Sequence, residues 1–184
     1  MRIFIGIKLE EGVLAQIEKE LKPFKKMKTS IRWTKPENIH LTLKFVGEVA
    51  ADVYPEMERA VASFHFGQKP FKINFRGLGK FPAGDELNIF WIGLEPVVEL
   101  ETLFRRIEDI LTRFGVEKET RRFLPHITVG RNKARFQFEP LLNELEKKSD
   151  VRLGESIVSS FQIFESRLAP RGPVYTIRSE VAIA

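Results

Sequence analysis

The feature that most constrains the fold is an internal repeat, because a shift of 86 residues places the segment 2–48 on the segment 88–134. Each segment begins with an apolar strand pattern, continues with a helical pattern, and ends with a strand pattern that carries His-x-Thr, at His40 and again at His126. One long-period repeat indicates two related units about a pseudo-two-fold axis, since a solenoid needs three or more units. We therefore predict a single bilobal domain over residues 1–184.

Apolar periodicity predicts helices and strands that are interspersed along the whole chain, which is typical of the α+β and α/β classes. The predicted helices cover residues 10–28, 52–66, 97–114 and 139–148. The predicted strands cover residues 2–8, 32–34, 39–46, 71–78, 88–94, 126–130, 157–164 and 173–182, with a turn at 81–85. We expect Pro23 to kink or end the first helix, because proline lacks the backbone N–H that a helix interior uses.

Composition excludes several kinds of site. The chain has no cysteine, which removes disulfides, thiolate zinc sites, iron–sulfur clusters and cysteine nucleophiles. No apolar stretch approaches the roughly 20 residues of a membrane span, and the apolar run at the N-terminus is too short for a signal peptide. We therefore expect a cytoplasmic protein with no membrane partner. The formal charge of +5, from 30 Lys+Arg against 25 Asp+Glu, is compatible with an anionic partner.

The two His-x-Thr motifs place a polar pair on one face of each strand. Residues i and i+2 of a strand face the same way, so His40 shares a face with Thr42, and His126 shares one with Thr128. The alternate residues of both motifs are apolar and pack under helices. One such motif is ordinary strand sequence, whereas two in register within a repeat indicate a shared site. If the halves pack about a two-fold axis, two imidazoles and two hydroxyls surround one small ligand.

Two imidazoles around one ligand can divide acid–base catalysis between them. An unperturbed pKa of about 6.5 allows one ring to be neutral and the other protonated near neutral pH, as a general base and a general acid require. Threonine hydroxyls can donate hydrogen bonds to anionic oxygens, so a phosphodiester undergoing in-line displacement fits the arrangement. Catalytic zinc normally takes three protein ligands, and no third ligand is apparent, so we expect no metal and no cofactor. The alternative is that both histidines are purely structural.

Two cations near the motifs are candidates for phosphate binding. Arg131 follows His126 by five residues, and a guanidinium group suits a phosphate oxygen. The alternative is a solvated arginine at a strand end. Simple alternation places Lys44 on the face of His40 and Thr42, and the alternative is a surface lysine.

The motifs and their surroundings resemble the 2H phosphoesterase superfamily, in its branch of RNA 2′,3′-cyclic phosphodiesterases and 2′-5′ RNA ligases. The resemblance extends over essentially the whole chain. It rests on the two His-x-Thr-x motifs and on the segments 32–39, 44–48, 81–82, 91–94, 123–125, 130–131, 166–168 and 172–175. It implies a bilobal α+β fold, with antiparallel sheets that line a central cleft and helices on the outside.

The resemblance also implies an activity and residue roles. The activity is metal-independent opening of RNA 2′,3′-cyclic phosphate to a 2′-phosphomonoester, with reversible 2′-5′ ligation in some members. His40 would be the proton donor and His126 the acceptor, while Thr42 and Thr128 would hold the phosphate. The expected partner is RNA with a 2′,3′-cyclic phosphate end, such as a tRNA half, bound by a monomer. Two alternatives stay open: a dedicated 2′-5′ ligase for tRNA halves, and a non-catalytic module that binds RNA ends.

Overall fold

The apolar strand patterns assemble into one antiparallel sheet in a computed structural model, which describes residues 1–83, 87–133, 139–170 and 172–184. The strands are β1 (Arg2–Lys8), β2 (Arg32–Trp33), β3 (His40–Glu48), β4 (Phe71–Ala83), β5 (Leu87–Leu94), β6 (His126–Lys133), β7 (Arg152–Val158), β8 (Ser160–Ala169) and β9 (Gly172–Ala182). The helices are α1 (Glu11–Lys26), α2 (Tyr54–Ala62), α3 (Val98–Leu111) and α4 (Glu139–Lys147), with 3₁₀ turns at Pro36–Asn38 and Thr112–Phe114. This mixture confirms the α+β class.

The strand order of the sheet is symmetric about its middle. It runs β7-β4-β5-β6-β3-β1-β8-β9, and β2 adds to β6 outside this path. The two His-Thr strands, β3 and β6, are central neighbours, and the first strands of the two repeats, β1 and β5, flank them. The main path of the sheet therefore consists of two four-stranded halves. One half comes from the continuous segment 71–158, and the other combines N-terminal strands with C-terminal ones.

The halves meet at one residue pair, in which Leu41 of β3 lies opposite Ile127 of β6. Both side chains have no exposed surface. The pair lies at the centre of both His-x-Thr-x motifs, so the pseudo-two-fold axis passes between the two motifs. This junction positions the polar faces of the motifs next to each other.

The helices cover the two halves of the sheet from outside. Helix α1 packs against β7 and α4 against β4, whereas α3 packs against β3 and α2 against β9. The core-facing stripe of α1 follows a helical spacing of four, four and three residues, at Val13, Ile17, Leu21 and Phe24. No helix among the described residues is long and apolar enough to cross a membrane.

Several predicted boundaries differ from the structure. Helix α1 continues for three residues beyond Pro23, so the proline does not end it. The predicted strand over 157–164 is in fact parts of two strands, β7 and β8, that are separated at Ser159. The predicted turn at 81–85 is wrong at its start, because β4 extends to Ala83, and its last two residues lie outside the described chain.

The repeat is not gapless at its first strand. Gly6 of β1 pairs with Thr42, whereas Trp91 of β5 pairs with Thr128. The structural equivalent of Gly6 is therefore Trp91, one residue before the position that a shift of 86 assigns. A one-residue slip exchanges the two faces of a strand. The shift of 86 therefore aligns residues on the His-Thr face of β1 with core-facing residues of β5, such as Phe90, which is 1% exposed. The single bilobal domain over 1–184 stays a prediction.

Truncation of the central pair should be costly. We expect Ile127→Ala to lower the free energy of unfolding by about 2–5 kcal/mol, because it removes a fully buried side chain and leaves a cavity at the junction. Denaturant unfolding followed by circular dichroism measures the change. Leu168→Ala is the control, since Leu168 is 80% exposed and should change stability by less than about 0.5 kcal/mol. Equal losses in the two variants would contradict the described junction.

Candidate active site

His40 is held in one orientation by its own local backbone. It is the first residue of β3, and its Nδ1 lies 2.8 Å from the carbonyl oxygen of Asn38. A carbonyl can only accept, so Nδ1 carries the donated hydrogen and Nε2 is left for proton exchange. Nε2 lies 3.0 Å from Thr42 Oγ1. The hydroxyl and the exchangeable nitrogen are thus adjacent.

His126 has the same local arrangement. It is the first residue of β6, and its Nδ1 lies 2.8 Å from the carbonyl oxygen of Leu124, two residues earlier. The donated hydrogen is again on Nδ1, which leaves Nε2 for proton exchange. Both motifs therefore present the same nitrogen of their histidine, fixed by the same kind of hydrogen bond.

The structure brings the four motif residues together. Because β3 and β6 are antiparallel about Leu41 and its partner, position 40 lies next to position 128 and position 42 next to position 126. The four side chains are partly exposed, while the residues between them are buried. Thr42 and His126 line the same cleft, which has a volume of about 660 Å³. Each histidine thus lies beside the threonine of the other motif.

A β-bulge follows the threonine in each motif strand. Leu43 has no partner in the pairing of β3 with β1, and Val129 has none in the pairing of β6 with β5. Each extra residue shifts the following alternation by one position. Phe45 and Arg131 therefore lie on the His-Thr face, at equivalent positions of the two repeats. Phe45 is 64% exposed there, and alternation alone did not predict it.

Lys44 does not share the face of His40, so the prediction from simple alternation is wrong at this residue. The bulge turns Lys44 toward α3, where its Nζ lies 2.5 Å from Glu108 Oε1 and 2.8 Å from the carbonyl oxygen of Glu117. The two side chains of the ion pair are only 10% and 6% exposed. Phosphate binding by Lys44 stays a prediction: the residue lines the same cleft as Thr42 and His126, but its ammonium group already has two oxygen partners.

The same glutamate fixes the segment that leads into the second motif. Glu108 Oε1 also accepts the backbone N–H of Glu119 at 2.7 Å. Four residues on, Phe123 stacks on Phe104 of α3, with ring centroids 4.3 Å apart and planes at 6°. The segment 117–125 is thereby fastened to α3 on its way to His126, and it contributes to the wall of the cleft.

Aromatic rings surround His40. The ring centroids of Phe4, Tyr175 and Phe164 lie 4.7, 5.3 and 5.8 Å from that of His40. Burial lowers the pKa of His40 below its usual value, and the positive charge of Arg131 lowers it further, against the opposing effect of the Asn38 carbonyl. The charge of Arg131 thus acts at the first motif, although the residue belongs to the second.

His126 has a more open environment than His40. Phe81 contacts it edge to face, with centroids 5.2 Å apart and planes at 86°. The adjacent cleft wall carries Arg121 and Arg122, which are both exposed. The two histidines are therefore equivalent in backbone geometry and different in surroundings. The described residues contain no group of three or more His, Asp or Glu side chains that could hold a metal ion.

Loss of one member of the buried ion pair should destabilise the protein strongly. We expect Lys44→Met to lower the free energy of unfolding by about 3–5 kcal/mol, because it leaves the Glu108 carboxylate buried without its cation. The double variant Lys44→Met/Glu108→Leu should lose less than the single variant, since no buried charge remains. Denaturant unfolding measures both.

The control for this prediction is the exposed pair of Lys72 and Glu155, whose side chains are 50% and 59% exposed. Lys72→Met should change stability by no more than about 1 kcal/mol. A loss in Lys44→Met as small as that in Lys72→Met would show that the Lys44 pair is not buried in solution.

Known proteins are similar to this chain in both sequence and fold. The "RNA 2′,3′-cyclic phosphodiesterase" of Methanocaldococcus jannaschii is 33% identical over 180 residues, which cover 98% of this chain and 99% of the relative. The protein of the same name from Methanothermobacter thermautotrophicus is 31% identical over 176 residues, which cover 96% of this chain and 95% of the relative.

Solved structures agree in fold. Escherichia coli LigT complexed with 3′-AMP aligns with a TM-score of 0.81 at 23% identity, over 99% of this chain and 97% of LigT. The protein TT0787 of Thermus thermophilus aligns with a TM-score of 0.78 at 25% identity, over 100% of this chain and 98% of TT0787. The family model described as "LigT like Phosphoesterase" matches residues 7–91 and, a second time, residues 92–175. The chain therefore belongs to the LigT-like phosphoesterases, within the 2H phosphoesterase superfamily.

Proposed function

We propose that this protein opens RNA 2′,3′-cyclic phosphate ends to 2′-phosphomonoesters by metal-independent acid–base catalysis. The observation that carries the proposal is the matched orientation of two imidazoles on adjacent central strands. In each, Nδ1 donates to a carbonyl two residues earlier, and Nε2 remains for proton exchange on the polar face. A site that only binds an RNA end does not need two such nitrogens.

The names of the relatives support the same reaction. Relatives that are 31% and 33% identical to this chain over nearly its full length are named RNA 2′,3′-cyclic phosphodiesterase. We infer RNA as the substrate class from these names. Binding of tRNA halves, a monomeric state and a cytoplasmic location stay predictions.

The proposed step is an in-line displacement at phosphorus. Nε2 of neutral His126 takes a proton from a water molecule, and the water oxygen attacks the phosphorus atom. The bond from phosphorus to the 3′ oxygen breaks, and Nε2–H of protonated His40 gives its proton to that oxygen. The 2′ ester remains as a phosphomonoester. These roles for the two histidines follow the resemblance to the superfamily.

The hydroxyls and one cation stabilise the negative charge of the phosphate in this proposal. Thr42 and Thr128 donate hydrogen bonds to its non-bridging oxygens, and Arg131 lies on the same face with its guanidinium group exposed. A 5′-hydroxyl in the place of the attacking water would make the same step a 2′-5′ ligation. Competition between water and an added 5′-hydroxyl oligonucleotide separates the hydrolase from the ligase.

Removal of either imidazole should nearly abolish turnover without unfolding the protein. We expect His40→Ala and His126→Ala each to lower kcat for a cyclic-phosphate oligonucleotide by about 10²–10⁴-fold, the usual contribution of a positioned acid or base. The assay contains EDTA, and circular dichroism verifies folding. His65→Ala is the matched control, because His65 is the third histidine and is exposed after α2. Full activity in either motif variant would overturn the proposal.

The aromatic surroundings of His40 predict the direction of its titration. Burial disfavours the imidazolium form, so His40 should lose its proton below pH 6.5, the usual value for histidine. Tyr175→Ala admits water beside the ring and should move the titration upward, toward 6.5. NMR titration of the imidazole resonances measures both values, with His40 assigned by its loss in His40→Ala.

Val174→Ala is the control for this titration, because the exposed Val174 side chain precedes Tyr175 on β9. It should leave the pKa of His40 unchanged. A His40 that titrates above 6.5, or one whose pKa falls in Tyr175→Ala, would contradict burial as the cause.

A depressed pKa also means that a smaller fraction of His40 is protonated at pH 7 than for a free imidazole, so proton donation to the 3′ oxygen should weaken as the pH rises.

A further inference from the structure

We propose that Trp91 and Phe81 form a stacking platform for the nucleobase next to the cyclic phosphate. The inference rests on the proposed function and adds a binding subsite to it. Trp91 lies on the site face of β5, paired with Thr128 of the second motif, and Gly93 on the same strand pairs with His126. A base held against Trp91 would therefore lie beside the reacting phosphate.

Two glycines allow the indole to lie flat on the sheet. A Cβ atom at Gly79, the residue paired with Trp91 on β4, would be 2.3 Å from indole Cζ2 and 2.6 Å from Cη2. A Cβ atom at Gly93 would be 3.1 Å from indole Cζ3. The ring thus occupies the space that side chains would fill at both neighbouring positions. A side chain at Gly79 would displace the indole from the sheet, and one at Gly93 would leave only tight contact with it.

Phe81 extends this aromatic surface to the catalytic histidine. Its ring centroid lies 5.0 Å from that of Trp91 with planes at 30°, and it contacts His126 edge to face. Both rings line a cavity of about 440 Å³ that also reaches His126. The remaining walls of this cavity are mainly apolar, with Leu94 and Leu124 among them. The surface is continuous from the cavity to the acid–base site.

The chemistry of these walls fits a planar aromatic group better than a sugar or a phosphate. Aromatic rings bind nucleobases by stacking, which tolerates different bases because every base has a π face. A ribose or phosphate would need polar partners; besides His126, the cavity wall offers Arg76, Glu101, Arg122 and Ser149. The Arg76 guanidinium is already paired with Glu95 and Asp150. The cavity and the motifs together can therefore hold the base and the phosphate of one nucleotide.

Fluorescence tests the platform without any turnover. The chain has two tryptophans, so Trp33→Phe leaves Trp91 as the single tryptophan, whose emission is measured. We expect adenosine 2′-monophosphate to quench this emission and inorganic phosphate to leave it unchanged. Trp91→Phe is the matched variant that keeps Trp33, and its emission should not respond to the nucleotide. Binding of the nucleotide to Trp33→Phe, verified by calorimetry, without quenching of Trp91 would overturn the proposal.

Activity provides a second test, with two substrates that differ only in the base. Adenosine 2′,3′-cyclic phosphate carries one, and the 2,3-cyclic phosphate of 1,4-anhydroribitol does not. Stacking contributes about 1–3 kcal/mol per base, so the wild-type kcat/KM should be roughly 5- to 150-fold higher with the base. We expect Trp91→Leu and Phe81→Leu to move this ratio toward 1, and Trp33→Phe to leave it unchanged.

The outcomes separate this proposal from the proposed function. A ratio that stays at its wild-type value in Trp91→Leu and Phe81→Leu would overturn the platform and leave cyclic-phosphate opening intact. A ratio that falls in Phe45→Leu instead would place the base on the exposed ring of β3. If the wild-type protein opens neither substrate, the proposed function fails, and quenching of Trp91 by the nucleotide still decides whether the platform binds a base.

Discussion

The contact between Leu41 and Ile127 is the constraint on which the rest of the site depends. Each of these residues lies between the histidine and the threonine of its motif, and each is fully buried. Their backbones join the two halves of the sheet, so the polar residues on either side emerge together on the opposite face. The apolar packing on one face of the sheet and the two His-Thr pairs on the other are therefore two consequences of one alternation. A displacement of this pair would separate the four motif side chains.

The two histidines share an orientation but differ in their surroundings, and these two properties have separate physical causes. The equivalent orientation of His40 and His126 comes from local backbone, because each ring donates to a carbonyl two residues before it. The difference between them comes from the sheet edges, since β8 and β9 contribute rings around His40, while the other half leaves His126 beside an open cleft. Local sequence thus orients two imidazoles alike, and tertiary packing gives them unequal surroundings. The proposed roles of acid and base follow the resemblance to the superfamily, and the lowered pKa of His40 reduces the protonated fraction that the acid needs.

The sequence predicts which strand face His40, Thr42, His126 and Thr128 share, because alternation within a strand is local. The spacing of His and Thr, and the apolar residues between them, follow from strand alternation alone. The bulges could not be predicted, since each depends on the pairing of the strand with a neighbour distant in sequence. They turn Lys44 toward Glu108 and bring Phe45 and Arg131 to the site face. The flat position of Trp91 is equally a tertiary property, because the space it fills lies over a glycine of β4.

We propose that two imidazoles, without a metal, direct the opening of a cyclic phosphate to one product. The most direct test is incubation of an oligonucleotide that ends in 2′,3′-cyclic phosphate with the protein and EDTA, followed by ³¹P NMR of the product. We predict a 2′-phosphomonoester at a rate that EDTA does not change. A 3′-phosphate, or activity that disappears with EDTA and returns with a divalent metal ion, would contradict it.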